Sequence, residues 1–145
     1  MTNDPGPPKK QVRDLMSALV RTLKRNDEVL IADTVMRSER IRHLPILDDD
    51  GRLVGILSQR DLFLNALVLA LGHGSAARDR ALGALAVKEI MTADVVTTTP
   101  GTPIAAAAQM MADRKIGCLP VMEGDAVVGI LTESDIVSAV ARGEL

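Results

Sequence analysis

Leu53-Val54-Gly55-Ile56-Leu57-Ser58-Gln59-Arg60-Asp61-Leu62 decides how this chain is read, because it recurs as Val127-Val128-Gly129-Ile130-Leu131-Thr132-Glu133-Ser134-Asp135-Ile136. Each copy reads as a buried strand, a small hydroxyl residue and an Asp three positions on, opening an apolar helix. Upstream, Val12-Arg13-Asp14-Leu15-Met16 matches Val87-Lys88-Glu89-Ile90-Met91. Met36 matches Met111, Ile41 matches Ile116, and Leu44-Pro45 matches Leu119-Pro120. A repeat this long predicts two similar supersecondary units, each leaving an apolar face for the other to cover.

Within each repeat the order of elements is β-α-β-β-α, an α/β (α+β) class. Leu19 to Leu23 and Val95 to Thr99 are short β-like runs. A helix follows, with Asp27 as its cap in repeat 1, and Thr102 as cap before a first-turn Pro103 in repeat 2. Val29, Ala32 and Met36, like Ile104, Ala107 and Met111, recur at the spacing of one buried helix face. Two strands come next, joined by Asp48-Asp49-Asp50-Gly51 or by Glu123-Gly124-Asp125, a hairpin signal. The Asp run also suggests a Ca²⁺ loop, but the EF-hand spacing and its distal Glu are missing. The last helix begins at Ser58 or Thr132. Residues 1–10, with Pro5, Pro7 and Pro8, read as disordered. The repeats are residues 11–66 and 87–142, and 67–86 is a helical linker. In that linker Ser75 is the expected N-cap of a helix through Leu85, and His73 reads as a surface histidine.

Composition narrows the function. Of 145 residues 47% are hydrophobic and 25% charged, with a net charge of −2, so no general electrostatic attraction to nucleic acid is expected. Phe63 is the sole aromatic, which removes a base-stacking platform and makes the core aliphatic. The longest apolar run, Leu62 to Leu71, is too short to span a bilayer. No signal-like segment precedes it, and the single Cys118 suits a reducing cytoplasm. A cytoplasmic protein that meets neither nucleic acid nor membrane is expected. His43, His73 and Cys118 do not make a zinc set. Cys118 lies in an expected strand and reads as a buried structural thiol, and Met16, Met36, Met91, Met110 and Met111 read as core filler. No base–nucleophile pair is placed for catalysis, so the chain does not read as an enzyme.

Ser58-x-x-Asp61 and Thr132-x-x-Asp135 carry two readings. One is a helix capping box, hydroxyl at the N-cap and carboxylate returning to the backbone. The other is a ligand site, where free N–H groups at a helix start meet a phosphate and the Asp accepts ribose hydroxyls. Gly55 and Gly129 either admit a ligand close to the strand or mark a tight packing point.

Residues 12–142 resemble a pair of cystathionine-β-synthase (CBS) domains, a Bateman module. The resemblance rests on Val12 to Met16, Arg42-His43-Leu44-Pro45, Leu53 to Asp61, Val87 to Thr92, Leu119-Pro120 and Val127 to Asp135. It implies two repeats packed by pseudo-twofold symmetry, with clefts binding AMP, ADP, ATP or S-adenosylmethionine. One site would join Thr132 and Asp135 with Val12, Ile41, Arg42, His43 and Pro45. The other would join Ser58 and Asp61 with Val87, Ile116, Gly117, Cys118 and Pro120. Backbone groups near Val12 and Val87 would read adenine, and Ile41 and Ile116 would wall its ring. Where repeat 1 has Arg42 and His43, repeat 2 has Gly117 and Cys118. A guanidinium pairs with phosphate and those residues do not, so the Asp135 site is expected to bind phosphorylated nucleotide more tightly. Arg42 reads equally well as a solvated strand-end charge, and Arg60 could support phosphate at the other site. The implied function is a non-catalytic regulatory sensor of adenine nucleotides, requiring no cofactor, its ligand entering with or without Mg²⁺. It would act on an unidentified effector protein and form a homodimer through the helices after Ser58 and Thr132. The alternative is a structural dimerisation module with empty or vestigial clefts.

Overall fold

A computed structural model describes residues 10–70 and 74–145. In chain order the elements are α1 (Val12–Leu15), β1 (Leu23–Lys24), α2 (Val29–Glu39), β2 (His43–Leu47), β3 (Leu53–Ser58), α3 (Gln59–Ala70) and α4 (Gly74–Ala84). A 3-10 turn (Val87–Glu89), α5 (Ile104–Arg114), β4 (Cys118–Glu123), β5 (Ala126–Thr132) and α6 (Glu133–Ala141) follow. The mixed α/β class is the one read from sequence; repeat 1 shows the β-α-β-β-α order after the short α1, repeat 2 lacks the first strand, and the compact units are cut elsewhere than the repeats. One unit is Arg21–Val95, and the other joins the chain through Val20 to Val96–Leu145. Each unit therefore takes its body from one repeat and a short N-terminal strap from the other.

In the contiguous unit, β1 runs parallel to β2 through Leu23 and Ile46, and β2 is antiparallel to β3 from His43–Ser58 to Leu47–Leu53. The far edge of β3 is met by Thr92, which exchanges backbone bonds of 2.9 Å with Ile56 in both directions. Helices α2, α3 and α4 supply the other layer. Val29, Ala32, Met36, Leu44, Ile46, Leu57, Leu62, Leu82 and Val87 form the core. Full burial of each of the larger aliphatic side chains contributes roughly 1.5–3 kcal/mol. The helical spacing of Val29, Ala32 and Met36 is thus a core face.

The second unit repeats the plan with less. Its hairpin β4–β5 pairs Cys118–Thr132 through Glu123–Ala126. The equivalent of β1 shrinks to a single parallel bridge, Thr98 to Val121, and the strap is joined at Ser17–Ile130. Val12, Ile104, Ala107, Met111, Leu119, Val121 and Leu131 make the core. The two hairpins carry the same irregularity, between Ile46 and Leu47 and between Val121 and Met122.

Several local expectations are corrected. The run Leu19 to Leu23 is strand only at Leu23–Lys24, and Leu19 is 92% exposed. Val95 to Thr99 contributes only the Thr98 bridge. Asp27 does not cap α2, since its carboxylate accepts from the Lys24 N–H at 2.8 Å, and Thr102 bonds Thr99 at 2.8 Å instead of capping α5. Glu28 and Pro103 hold the N-cap positions without side-chain bonds. The helix starts are satisfied by strap carbonyls: the Val29 N–H donates to Leu85 O at 2.9 Å, and the Ile104 N–H to Lys10 O at 3.0 Å. A strap docked there removes the need for a polar cap. Lys10, expected within a disordered tail, is thus a structural residue, while residues 1–9 lie outside the described chain. Ser75 is inside α4, not at its cap, because α4 starts at Gly74. His73 falls outside the described residues. The Asp48 carboxylate closes the hairpin turn on its own backbone, accepting from the Asp50 and Arg52 N–H groups at 2.9 Å each. No His/Cys/Asp/Glu group fit for a metal occurs among the described residues.

Candidate functional site

Both strand-to-helix turns fold as capping boxes. In the contiguous unit the Asp61 N–H donates to Ser58 Oγ at 3.0 Å, and the Ser58 N–H returns to Asp61 Oδ2 at 3.3 Å. In the other, the Asp135 N–H meets Thr132 Oγ1 at 3.4 Å, and the Thr132 N–H meets Asp135 Oδ2 at 2.9 Å. The strands place these turns: β2 ends its pairing at His43–Ser58, and β4 at Cys118–Thr132. The first helical N–H is consumed as well, Gln59 donating to Arg42 O at 2.7 Å and Glu133 to Gly117 O at 3.0 Å. The helix starts therefore offer fewer donors than a bare helix end would.

What stays open is specific. Among the described residues no protein group bonds Oδ1 of Asp61 or Asp135, or the backbone N–H of Arg60 or Ser134. Both carboxylates are half-buried. Each turn thus leaves one carboxylate oxygen and one backbone N–H without a protein partner among the described residues, an acceptor for a hydroxyl and a donor for an anion.

The contiguous unit gathers Ile41, Arg42, His43, Pro45, Ser58, Asp61 and Val87, and the other gathers Val12, Ile116, Gly117, Cys118, Pro120, Thr132 and Asp135. Val12 thereby shares a unit with Asp135, and Val87 with Asp61, as in the expected sets. Ile41, Arg42, His43 and Pro45 belong to the unit of Asp61, and Ile116 to Pro120 to that of Asp135. Arg42 is exposed and His43 half-buried on the strand beside Ser58. Ile41 and Ile116 are half-buried against the two cores, and Pro45 and Pro120 are fully buried.

Val12 and Val87 are also fully buried. Their own backbone groups are already used: the Val12 N–H donates to Thr102 O and the Val87 N–H to Asp27 O, each at 2.8 Å, and the Met16 and Met91 N–H groups return to their carbonyls. A base edge would have to be met by neighbouring residues instead.

Cys118 is buried, and its thiol is pushed up to about 12, first by burial and then by the nearby Asp135 charge. At neutral pH it is a protonated thiol with the character of a small apolar side chain.

The two glycines resolve to packing points. A Cβ on Gly129 would lie 2.6 Å from Met16 Sδ and 3.1 Å from Ser17 O, and one on Gly55 would overlap Met91 Sδ. The space over each strand is filled by the strap methionine, not kept for a ligand. The relation of Met16 to Gly129 and of Met91 to Gly55 was visible as matched residues, but not as contacts.

The CBS domain family model matches residues 12–67 and 87–142. The chain belongs to the CBS domain family, as a tandem pair. The CBS domain pair of protein MJ0100, solved in complex with 5′-methylthioadenosine and S-adenosyl-L-methionine, is 29% identical with a TM-score of 0.78, covering 94% of this chain and 99% of that one. The AcuB protein of Vibrio cholerae is 35% identical with a TM-score of 0.73, 93% of each chain being covered. A CBS domain-containing protein of Dictyostelium discoideum is 30% identical over 90% of this chain and 91% of its own length. Homoserine O-acetyltransferase of Methanohalobium evestigatum is 33% identical over 86% of this chain, which spans only 23% of that enzyme. No described helix is long and apolar enough to cross a membrane.

Proposed function

We propose that this chain is a non-catalytic regulatory module that binds an adenosine-containing ligand. The supporting observation is the open pair at each turn, Asp61 Oδ1 with the Arg60 N–H and Asp135 Oδ1 with the Ser134 N–H. Ribose hydroxyls would donate to the carboxylate, and a phosphate or carboxylate of the ligand would accept from the N–H. The complex of the MJ0100 pair with 5′-methylthioadenosine and S-adenosyl-L-methionine supports this ligand class. AMP, ADP, ATP and S-adenosylmethionine, with and without Mg²⁺, are the ligands to compare. Occupancy would shift a conformational equilibrium by its differential affinity and so signal to an effector protein in the cytoplasm.

A homodimer through α3 and α6 accompanies this reading. Phe63 is 61% exposed and the matching Val137 66%, with Leu64 and Val140 beside them. Apolar side chains left outward on matching helices favour a further partner surface. The same observation favours the second reading, a dimerisation module without ligand.

Calorimetry with the four ligands separates the readings, since no heat with any of them would leave only the dimer. Asp61→Asn and Asp135→Asn keep an acceptor oxygen for the cap and remove the charge offered to ribose. Tight nucleotide binding is expected to be lost in Asp135→Asn, and its loss only in Asp61→Asn would reverse the ranking of the two sites.

A further inference from the structure

The strap Lys10–Ser17 is fastened at two ends. Its start is held by Val12 N–H to Thr102 O at 2.8 Å, Arg13 N–H to Pro100 O at 2.9 Å, and Ile104 N–H to Lys10 O at 3.0 Å. Its end is held by the paired Ser17–Ile130 bonds of 2.9 Å and by Met16 lying over Gly129. Between these ends, α1 packs against α6.

The strap thus touches both elements that meet at Thr132. Ile130 is in β5, which ends at Thr132, and α6 starts at Glu133. Its apolar anchorage is confined to three side chains, Val12 fully buried and Leu15 and Met16 partly buried against the same core, while Arg13, Asp14 and Ser17 are exposed. Segments with little buried apolar surface open at the lowest local cost.

We propose that the strap Lys10–Ser17 is a closure that responds to a ligand held at Thr132 and Asp135, with Met16 on Gly129 as its latch. This rests on the reading of Thr132 and Asp135 as ligand contacts. A ligand drawing on Asp135 Oδ1 and the Ser134 N–H fixes the first turn of α6 against the end of β5. Those are the surfaces the strap joins, so the closed strap and the occupied turn favour each other. If the strap is open for part of the time, the apparent affinity is the intrinsic affinity multiplied by the closed fraction. Met16 is a positioning residue here, acting through the strap and not on the ligand.

The test is hydrogen exchange on the full chain, with S-adenosylmethionine and AMP as probes, each titrated by calorimetry. Saturating probe is expected to slow exchange in Arg13–Ser17 and at Ile130 by about tenfold. Asp135→Asn is expected to abolish the slowing. Gly129→Ala, whose added Cβ meets Met16 and the Ser17 carbonyl first, is expected to speed strap exchange without ligand and weaken binding about tenfold. Met16→Ala, which removes the latch without crowding the strand, serves where Gly129→Ala does not fold. Binding heat with unchanged strap exchange overturns the closure and leaves the ligand reading standing. Slowing confined to Ile90–Thr92 and Ile56, or slowing that survives in Asp135→Asn, overturns it too. Absence of heat with both probes overturns the underlying ligand reading for these probes and the closure with it.

Discussion

Ser17 and Ile130, one from each sequence repeat, exchange backbone hydrogen bonds of 2.9 Å in both directions, and Thr92 does the same with Ile56. The piece of chain that opens each repeat therefore finishes the sheet built by the other. The repeat seen in the sequence and the unit that packs are offset from one another.

That offset predicts which fragment stands alone. Arg21–Val95 is continuous and carries its own strap. It is expected to unfold cooperatively in urea, while a fragment of residues 12–67 lacks Val87 and the Thr92 edge and is expected to give no such transition. Cooperative unfolding of the repeat fragment would contradict the exchange.

The glycines beneath the methionines should not respond equally. The three atoms nearest a Cβ at Gly55 all belong to the Met91 side chain, which can swing aside. At Gly129 it also meets the Ser17 carbonyl at 3.1 Å, which moves only with the strap. Gly55→Ala is expected to cost about 1 kcal/mol and Gly129→Ala about 2–3 kcal/mol in denaturant unfolding.

Thr98 is 5% exposed, and its Oγ1 has no hydrogen-bond partner among the described residues. The matching residue in repeat 1 is Leu23, so the site is apolar in the other copy. Thr98→Val keeps the branched shape and removes an unpaired hydroxyl, and is expected to stabilise by about 1–2 kcal/mol. A lowered melting temperature would show that the hydroxyl has a partner in solution.

Cys118 sets an alkaline limit. The thiol has an ordinary value of 9.0 and is raised to about 12 in the fold. Protons then leave the unfolded chain first, so the contribution is intact below pH 9 and is lost as pH rises toward 12. Stability is expected to fall by up to about 1.4 kcal/mol per pH unit in that window. Cys118→Ala should flatten the profile, and the native thiol should resist alkylation at pH 8.

The capping boxes were legible because Ser58 and Asp61, or Thr132 and Asp135, are three residues apart and helix geometry alone brings them together. The buried faces at Val29–Met36 and Ile104–Met111 were legible for the same reason. The helix starts were misread because their N–H groups are met by Lys10 and Leu85, whose approach no local pattern announces. Nor does a duplicated pattern say to which copy Val12 or Val87 will dock, since both grooves are built from matching residues. The open oxygen on each Asp followed only from seeing Oδ2 already engaged.

The continuous and the divided unit also differ in when they can be made. Arg21–Val95 holds all its parts before the later sequence is synthesised. Ser17, made earlier, has no edge to join until Ile130 exists, a wait of roughly ten seconds at typical elongation rates. Through that interval the hydrophobic Val12 and Met16 have no groove of their own to enter. The matching groove at Gly55 is completed first, by Met91, so the order of synthesis itself sets how long the early strap stays unseated.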